Sequence, residues 1–168
     1  MESLNKKILA DGGASIWGGT SLASISEEAI DFATKEWPNH YGVHTHKGFS
    51  KSWTAIWSHA QLQPSNFNVA VWQQFGDRKI LQGLAVGSTS SGKKHACLNW
   101  VERFFGPEYS KFGVLVPILM CFEEYARLLE VERVLIKNPV DPSIYERCGY
   151  ARYTIPKSGT SFLSKEIV

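Results

Sequence analysis

Residues 131–150 read VERVLIKNPVDPSIYERCGY, and the fold turns on how this stretch is parsed. Val131, Val134, Leu135 and Ile136 make an apolar run that predicts a buried strand. Asn138 closes the run, and Asn followed by Pro139 is a frequent turn opening. PSIYERCG then predicts a short helix ended by Gly149. Tyr145 falls on it seven residues after Asn138, with Glu146, Arg147, Cys148, Gly149 and Tyr150 directly behind.

Working outward, GVLVPILMCFEEYARLLE (113–130) sets Leu115, Ile118, Leu119, Phe122, Ala126 and Leu129 on one side of a helix. Pro117 falls in its first turn, where proline is tolerated. Downstream, ARYTIP and SFLSKEIV predict a hairpin around Lys157-Ser158-Gly159. Upstream, FNVAVWQQ and KILQGLAVG bracket Gly76-Asp77-Arg78 as a second hairpin. SISEEAIDFATKEW (24–37) predicts a helix capped by Ser26, with acids in its first turn and Pro38 at its end. FSKSWTAIWSHAQL (49–62) carries Phe49, Trp53, Ile56, Trp57 and Ala60 at helical spacing. GASIWGGTSL (13–22) is a glycine-weakened first strand. In KKHACLNWVERFFG (93–106), Cys97, Leu98, Val101, Phe104 and Phe105 recur with a helical period.

The bulk composition bounds the class. A chain of 168 residues with 43% hydrophobic and 20% charged content fits one domain with a sizeable core and argues against disorder. Eighteen basic and 16 acidic residues leave a net charge of +2, spread without blocks. That distribution argues against duplex nucleic acid as a partner. The N-terminus lacks the apolar core of a signal peptide, and no window approaches the roughly 18 apolar residues of a membrane span. Cys97, Cys121 and Cys148 are odd in number and widely spaced, which reads as free thiols in a reducing cytoplasm.

The strand-Asn-x6-Tyr-Glu-Arg-x-Gly-Tyr run resembles the GNAT superfamily of N-acetyltransferases. SFLSKEI is similar to that family's closing strand, and FGPEYSKFGV to its approach to the pyrophosphate loop. The match covers roughly residues 67–168 and leaves 1–66 as variable helices on the substrate side. The resemblance implies a mixed α/β (α+β) fold, with a mostly antiparallel central sheet, splayed central strands and helices on both faces. It also implies that residues 93–106 form the fourth strand despite their helical period. Homodimers are frequent in the family, although nothing in this sequence marks an interface.

The family's pyrophosphate pattern is Gln or Arg, two residues, Gly, one residue, then Gly or Ala. Here Ser110-Lys111-Phe112-Gly113-Val114-Leu115 stands in its place and keeps only Gly113. Backbone N–H groups at a helix start suit a pyrophosphate. Leu115 adds bulk without removing a donor, and Lys111 adds a cation. By resemblance, acetyl-CoA is the co-substrate, bound by Ser110 to Val114 and by Asn138. The backbones of Phe104 and Phe105 pair with its pantetheine amides.

Acyl transfer to a small-molecule or peptide amine needs an acid for the departing thiolate and a base for the amine. Resemblance assigns the acid to Tyr145; the other reading is a core tyrosine. Glu102, among apolar neighbours, is the candidate base. Its other reading is a solvated or salt-bridged carboxylate beside Arg103, and His95 is a weaker alternative. Asn138 is either a pantetheine contact or a turn residue. Direct attack in a ternary complex calls for no metal and no covalent enzyme intermediate. The rival function is a GNAT-shaped binding module that has lost transfer activity.

Trp37, His40, Tyr41, Trp53 and Trp57 are expected to line an acceptor pocket. GSTSSGK (87–93) resembles the start of a phosphate-binding loop but continues with Lys94 where Ser or Thr is needed, and reads as a strand connection. His44 and His46, with His40 nearby, read as a solvated loop rather than a metal site.

Overall fold

The computed structural model describes residues 19–42, 51–92, 94–108, 113–155 and 159–167. The elements run β1 (Thr20–Ala23), α1 (Glu27–Lys35), a 3₁₀ turn (Trp37–His40), α2 (Trp53–Gln61), β2 (Phe67–Phe75), β3 (Arg78–Thr89) and β4 (His95–Arg103). They continue with α3 (Leu115–Leu128), β5 (Arg133–Ile136), α4 (Pro142–Arg147), β6 (Ala151–Thr154) and β7 (Ser161–Glu166). Seven strands form one sheet in the order β1-β2-β3-β4-β5-β7-β6. Every recorded neighbour pair is antiparallel except β4 with β5, which is parallel. The mixed, mostly antiparallel sheet expected from the C-terminal run is therefore present.

Local chemistry sets the element ends. The Ser26 hydroxyl accepts from the Ala29 amide and starts α1. Ser52 does the same for α2 through Ala55, so that helix begins at Trp53, later than the aromatic spacing suggested. Asp141 caps α4 through the Ser143 amide at 3.0 Å. All three side-chain caps satisfy helix donors that lack intrahelical partners.

Each face of the sheet holds its own apolar cluster. On one, Val69, Val71, Ala85 and Leu98 pack against Ile118 and Phe122 of α3. On the other, Ala70, Trp72, Leu81, Leu84 and Val86 pack against residues of α1, the 3₁₀ turn and α2. Alternation along the strands delivers side chains to both faces, as period 2 requires.

Two irregularities interrupt that alternation. Val71 pairs with Gly83 but Trp72 with Leu81, leaving Gln82 as an extra residue in β3. Gly87 pairs with Leu98 but Val86 with Trp100, leaving Asn99 as an extra residue in β4. A methyl group on Gly87 would meet the Cys97 carbonyl oxygen at 2.7 Å, so glycine admits the bulge. Gly87 to Thr89 are thus strand residues paired with Leu98, Cys97 and Ala96, not a phosphate-binding loop.

The bulge also accounts for the misleading helical period of 93–106. Ala96 and Leu98 join the α3-side cluster before it, whereas Trp100 and Phe104 join the α1/α2-side cluster after it. A phase slip in a period of two imitates a longer period.

Candidate active site

β4 and β5 pair only from His95 with Arg133 to Leu98 with Ile136. One further bond, from the Lys137 amide to the Leu98 carbonyl at 3.2 Å, closes the ladder. Beyond it the strands part. The opening is a cavity of about 270 Å³ lined by Leu98 to Val101 on one side, Ile136 to Val140 on the other, and Tyr145. Asn99 to Arg103 continue β4 past the end of its ladder with β5.

Tyr145 is 9% exposed and belongs to the α3-side cluster. Its ring meets that of Tyr150 edge-on at 6.2 Å. Burial, then the nearby Cys148, push its phenol up to about 12. No hydrogen bond of its hydroxyl to a described residue is recorded. A neutral phenol on the wall of an open wedge is equipped to give a proton to a strongly basic group beside it.

Asn138 lines the same wedge and takes a left-handed backbone with φ 47°, a conformation Asn adopts more readily than most residues. It thus performs the turn that swings the chain from β5 toward α4.

Glu102 sits on the other face of β4, 4% exposed. The Tyr41 hydroxyl donates to its Oε1 and the Trp53 indole N–H to its Oε2. The carboxylate is therefore sealed under the 3₁₀ turn and α2; it is not a solvated partner of Arg103. Arg103 instead lays its guanidinium over the Phe105 ring at 4.5 Å. Trp37 and Trp53 are buried and meet edge-on at 6.4 Å, with Tyr41 and Trp57 half-buried. Of the five residues expected to line an acceptor pocket, only His40 lines a recorded cavity. That cavity is a broader hollow of about 830 Å³ beside α1, with Glu28, Asp31, Lys35 and Glu36 on its wall.

Phe104 is held differently from expectation. Its amide donates to the Gln82 carbonyl at 2.8 Å, and its ring packs on the α1 side against Phe32 and His40. It lines the broader hollow rather than the wedge. Phe105 is half-buried. Gly113 has φ 72° and leads into Val114, the residue before the first turn of α3, where no side-chain cap is recorded. Pro117 occupies the third helical position and supplies no N–H, which leaves fewer donors at this helix start. Ser110, Lys111 and Phe112 lie outside the described residues, as do His44 and His46. Among the described residues no group of three or more His, Cys, Asp or Glu is placed to hold a metal.

Behind Tyr145 lies a polar network that sequence alone did not expose. Glu123 of α3 is 9% exposed. Lys165 of β7 donates to both its oxygens at 3.0 and 2.9 Å, and the Tyr150 hydroxyl to Oε1 at 3.1 Å. Burial, then the Glu123 charge, hold the Tyr150 phenol far above its ordinary value. The thiols are free; burial pushes Cys97 up to about 11 and Cys121 to about 12, which suits inert side chains rather than nucleophiles.

No protein-family model and no curated protein matches the sequence. Solved structures do match. One is an acetyltransferase of the GNAT family from Staphylococcus aureus Mu50, at TM-score 0.60 and 10% identity over 89% of this chain and 99% of that one. YncA from Salmonella typhimurium, solved with acetyl-CoA, matches at TM-score 0.59 and 13% identity over 90% and 95%. Spermidine N-acetyltransferase from Vibrio cholerae, solved with CoA and spermine, matches at 0.59 and 12% over 89% and 96%. The chain shares the GNAT fold, and the likeness extends well beyond the C-terminal part in which the motifs lie.

Proposed function

We propose that this chain transfers an acyl group, most simply acetyl, from acetyl-CoA to a primary amine. The observation that carries the reading is the wedge between β4 and β5, bordered by Asn138 and a neutral Tyr145. The edge of β4 beyond Leu98, where its ladder with β5 ends, suits the amides of a pantetheine arm, which would add like a strand. Gly113, Val114 and the start of α3, with Ser110 to Phe112 before them, would hold the pyrophosphate.

The amine nitrogen attacks the thioester carbonyl directly, forming the C–N bond. Backbone N–H groups of β4 near the bulge suit the developing oxyanion. The C–S bond then breaks, and Tyr145 gives its proton to the departing sulfur. Glu102 is the final acceptor of the amine's proton. Acid and base stand on opposite faces of the sheet, matching a carbonyl whose leaving group and nucleophile lie on different sides.

A second reading, a binding module without turnover, draws on Pro117 and Leu115 at the start of α3, which thin and crowd the pyrophosphate site. Calorimetry with acetyl-CoA separates the two. Thiol release is then followed with 2-phenylethylamine, spermidine and an alanyl peptide as acceptors. Tyr145→Phe is expected to lower kcat by about 10²–10³-fold with coenzyme affinity retained. Unchanged turnover in that variant removes Tyr145 as the acid. Failure of the wild type to bind acetyl-CoA at millimolar concentration removes the enzyme reading altogether.

A further inference from the structure

Among the described residues that line the wedge, Lys137 alone is charged, and none is a carboxylate. The face it occupies follows from the strand. Val134 and Ile136 belong to the α3-side cluster, so period 2 turns Leu135 and Lys137 toward the side of α1 and α2. The Lys137 amide still bonds to the Leu98 carbonyl, which carries that alternation to the end of the ladder. A neighbouring thiol reports the same side. Cys97 alternates with Ala96 and Leu98 of the α3-side cluster; burial pushes it up to about 11, and the Lys137 charge acts second, to lower it.

Tyr145 stands with the α3-side cluster, so Lys137 and Tyr145 line the wedge from opposite faces. Trp100 joins Lys137 on the α1/α2 side, and Lys51 lies over the Trp100 ring at 5.6 Å. The acceptor's approach is therefore cationic. Glu102 does not offset it, being 4% exposed and outside the wedge lining. Asp141, the nearest acid along the chain, accepts at Oδ1 from the Ser143 amide and hydroxyl. Lys137 itself is exposed, and among the described residues no carboxylate pairs with it.

A second ammonium on the acceptor is repelled by this wall, whereas a carboxylate meets a cation there. We propose that Lys137 is a specificity-determining residue and that the acceptor is an amine with a carboxylate close to it, as in an α-amino acid. The proposal rests on the acyl-transfer reading and names its acceptor class. Leu98, whose carbonyl closes the ladder with Lys137, directly precedes the Asn99 bulge. Since that bulge is where the oxyanion is expected, the flexible four-carbon stem of Lys137 starts beside the reacting centre. The ammonium donates charge-assisted hydrogen bonds to the acceptor carboxylate. Both groups keep their charge throughout, and the bonds made and broken at the thioester are those already described.

The test uses matched acceptors that differ only in the carboxylate: L-phenylalanine with 2-phenylethylamine, and L-norleucine with pentylamine, beside spermidine. Thiol release gives kcat/KM for the full chain, Lys137→Met and Lys137→Arg, with thermal unfolding and acetyl-CoA calorimetry on each. In the wild type the carboxylated member of each pair should exceed its partner by about 10–100-fold, with spermidine poorest. Lys137→Met should erase that ratio through the KM of the carboxylated acceptors, with acetyl-CoA affinity retained, and Lys137→Arg should keep most of it. Carboxyl-free amines or spermidine turned over as well as the amino acids overturn the acceptor class and leave acyl transfer standing. Equal losses in Lys137→Met for both members of a pair, or weakened acetyl-CoA binding, assign the lysine to the coenzyme and overturn the proposal. A chain that binds acetyl-CoA but releases no thiol with either amino acid overturns it too. A wild type that neither binds acetyl-CoA nor releases thiol overturns the underlying reading and this one with it.

Discussion

Tyr145 and Tyr150 hold their protons more tightly in the folded chain than unfolded tyrosines do, because burial penalises the phenolate. The unfolded chain gives these protons up near pH 10. Stability from both groups is therefore complete below about pH 10 and declines above it, for Tyr145 across the interval to about 12. Urea midpoints at increasing alkaline pH should fall more steeply for the wild type than for Tyr150→Phe. Parallel slopes would contradict this account of the phenol. Lys165 offers a second test, since its loss strips both oxygens of Glu123 of their cation. Lys165→Met should cost about 1–3 kcal/mol in urea unfolding, whereas Lys35→Met, at an exposed pair with Asp31, should stay within about 0.5 kcal/mol. Similar losses in both would place no special weight on the buried network. At this scale the sequence offered Tyr145 and Asn138 as candidates through the resemblance and their spacing, and Glu102 through its apolar neighbours. It hid what holds Glu102, because Tyr41 and Trp53 lie 61 and 49 positions away along the chain.

Among the elements, β3 and the start of α3 meet in one close contact. Gly83 of β3 lies under Val114, and a methyl there would meet the Val114 side chain at 2.9 Å. Val114 is branched at Cβ and cannot swing clear by rotation. Gly83→Ala should therefore lower unfolding stability by about 1–3 kcal/mol, and Val114→Gly in the same chain, which removes the contacting Cβ, should restore part of it. Urea midpoints of the single and double variants decide the point; a double variant no better than Gly83→Ala would contradict the contact. The period of α1, its cap at Ser26 and the turn after Phe75 were legible because their chemistry is local, whereas the Ser52 cap of α2 was not read. The β4 bulge was not. One extra residue at Asn99 changes which face receives Trp100, and only pairing with β3 discloses it.

Across the whole molecule, the sheet works as a partition. One face holds Tyr145 with the Glu123–Tyr150–Lys165 network, and the other holds Glu102 with Tyr41 and Trp53. The β4–β5 opening has Tyr145 on its wall. The mostly antiparallel sheet and the splaying of its central strands were expected from the C-terminal run and its resemblance, whereas the acceptor side was not, since the aromatic residues expected there are mostly core. Among the described residues no helix is long and apolar enough to cross a membrane. The most direct test is a crystal structure of the chain with CoA bound. The account predicts the pantetheine arm lying along β4 between it and β5, with its sulfur within hydrogen-bonding distance of the Tyr145 hydroxyl. A coenzyme lodged elsewhere, or a sulfur out of that hydroxyl's reach, would contradict it.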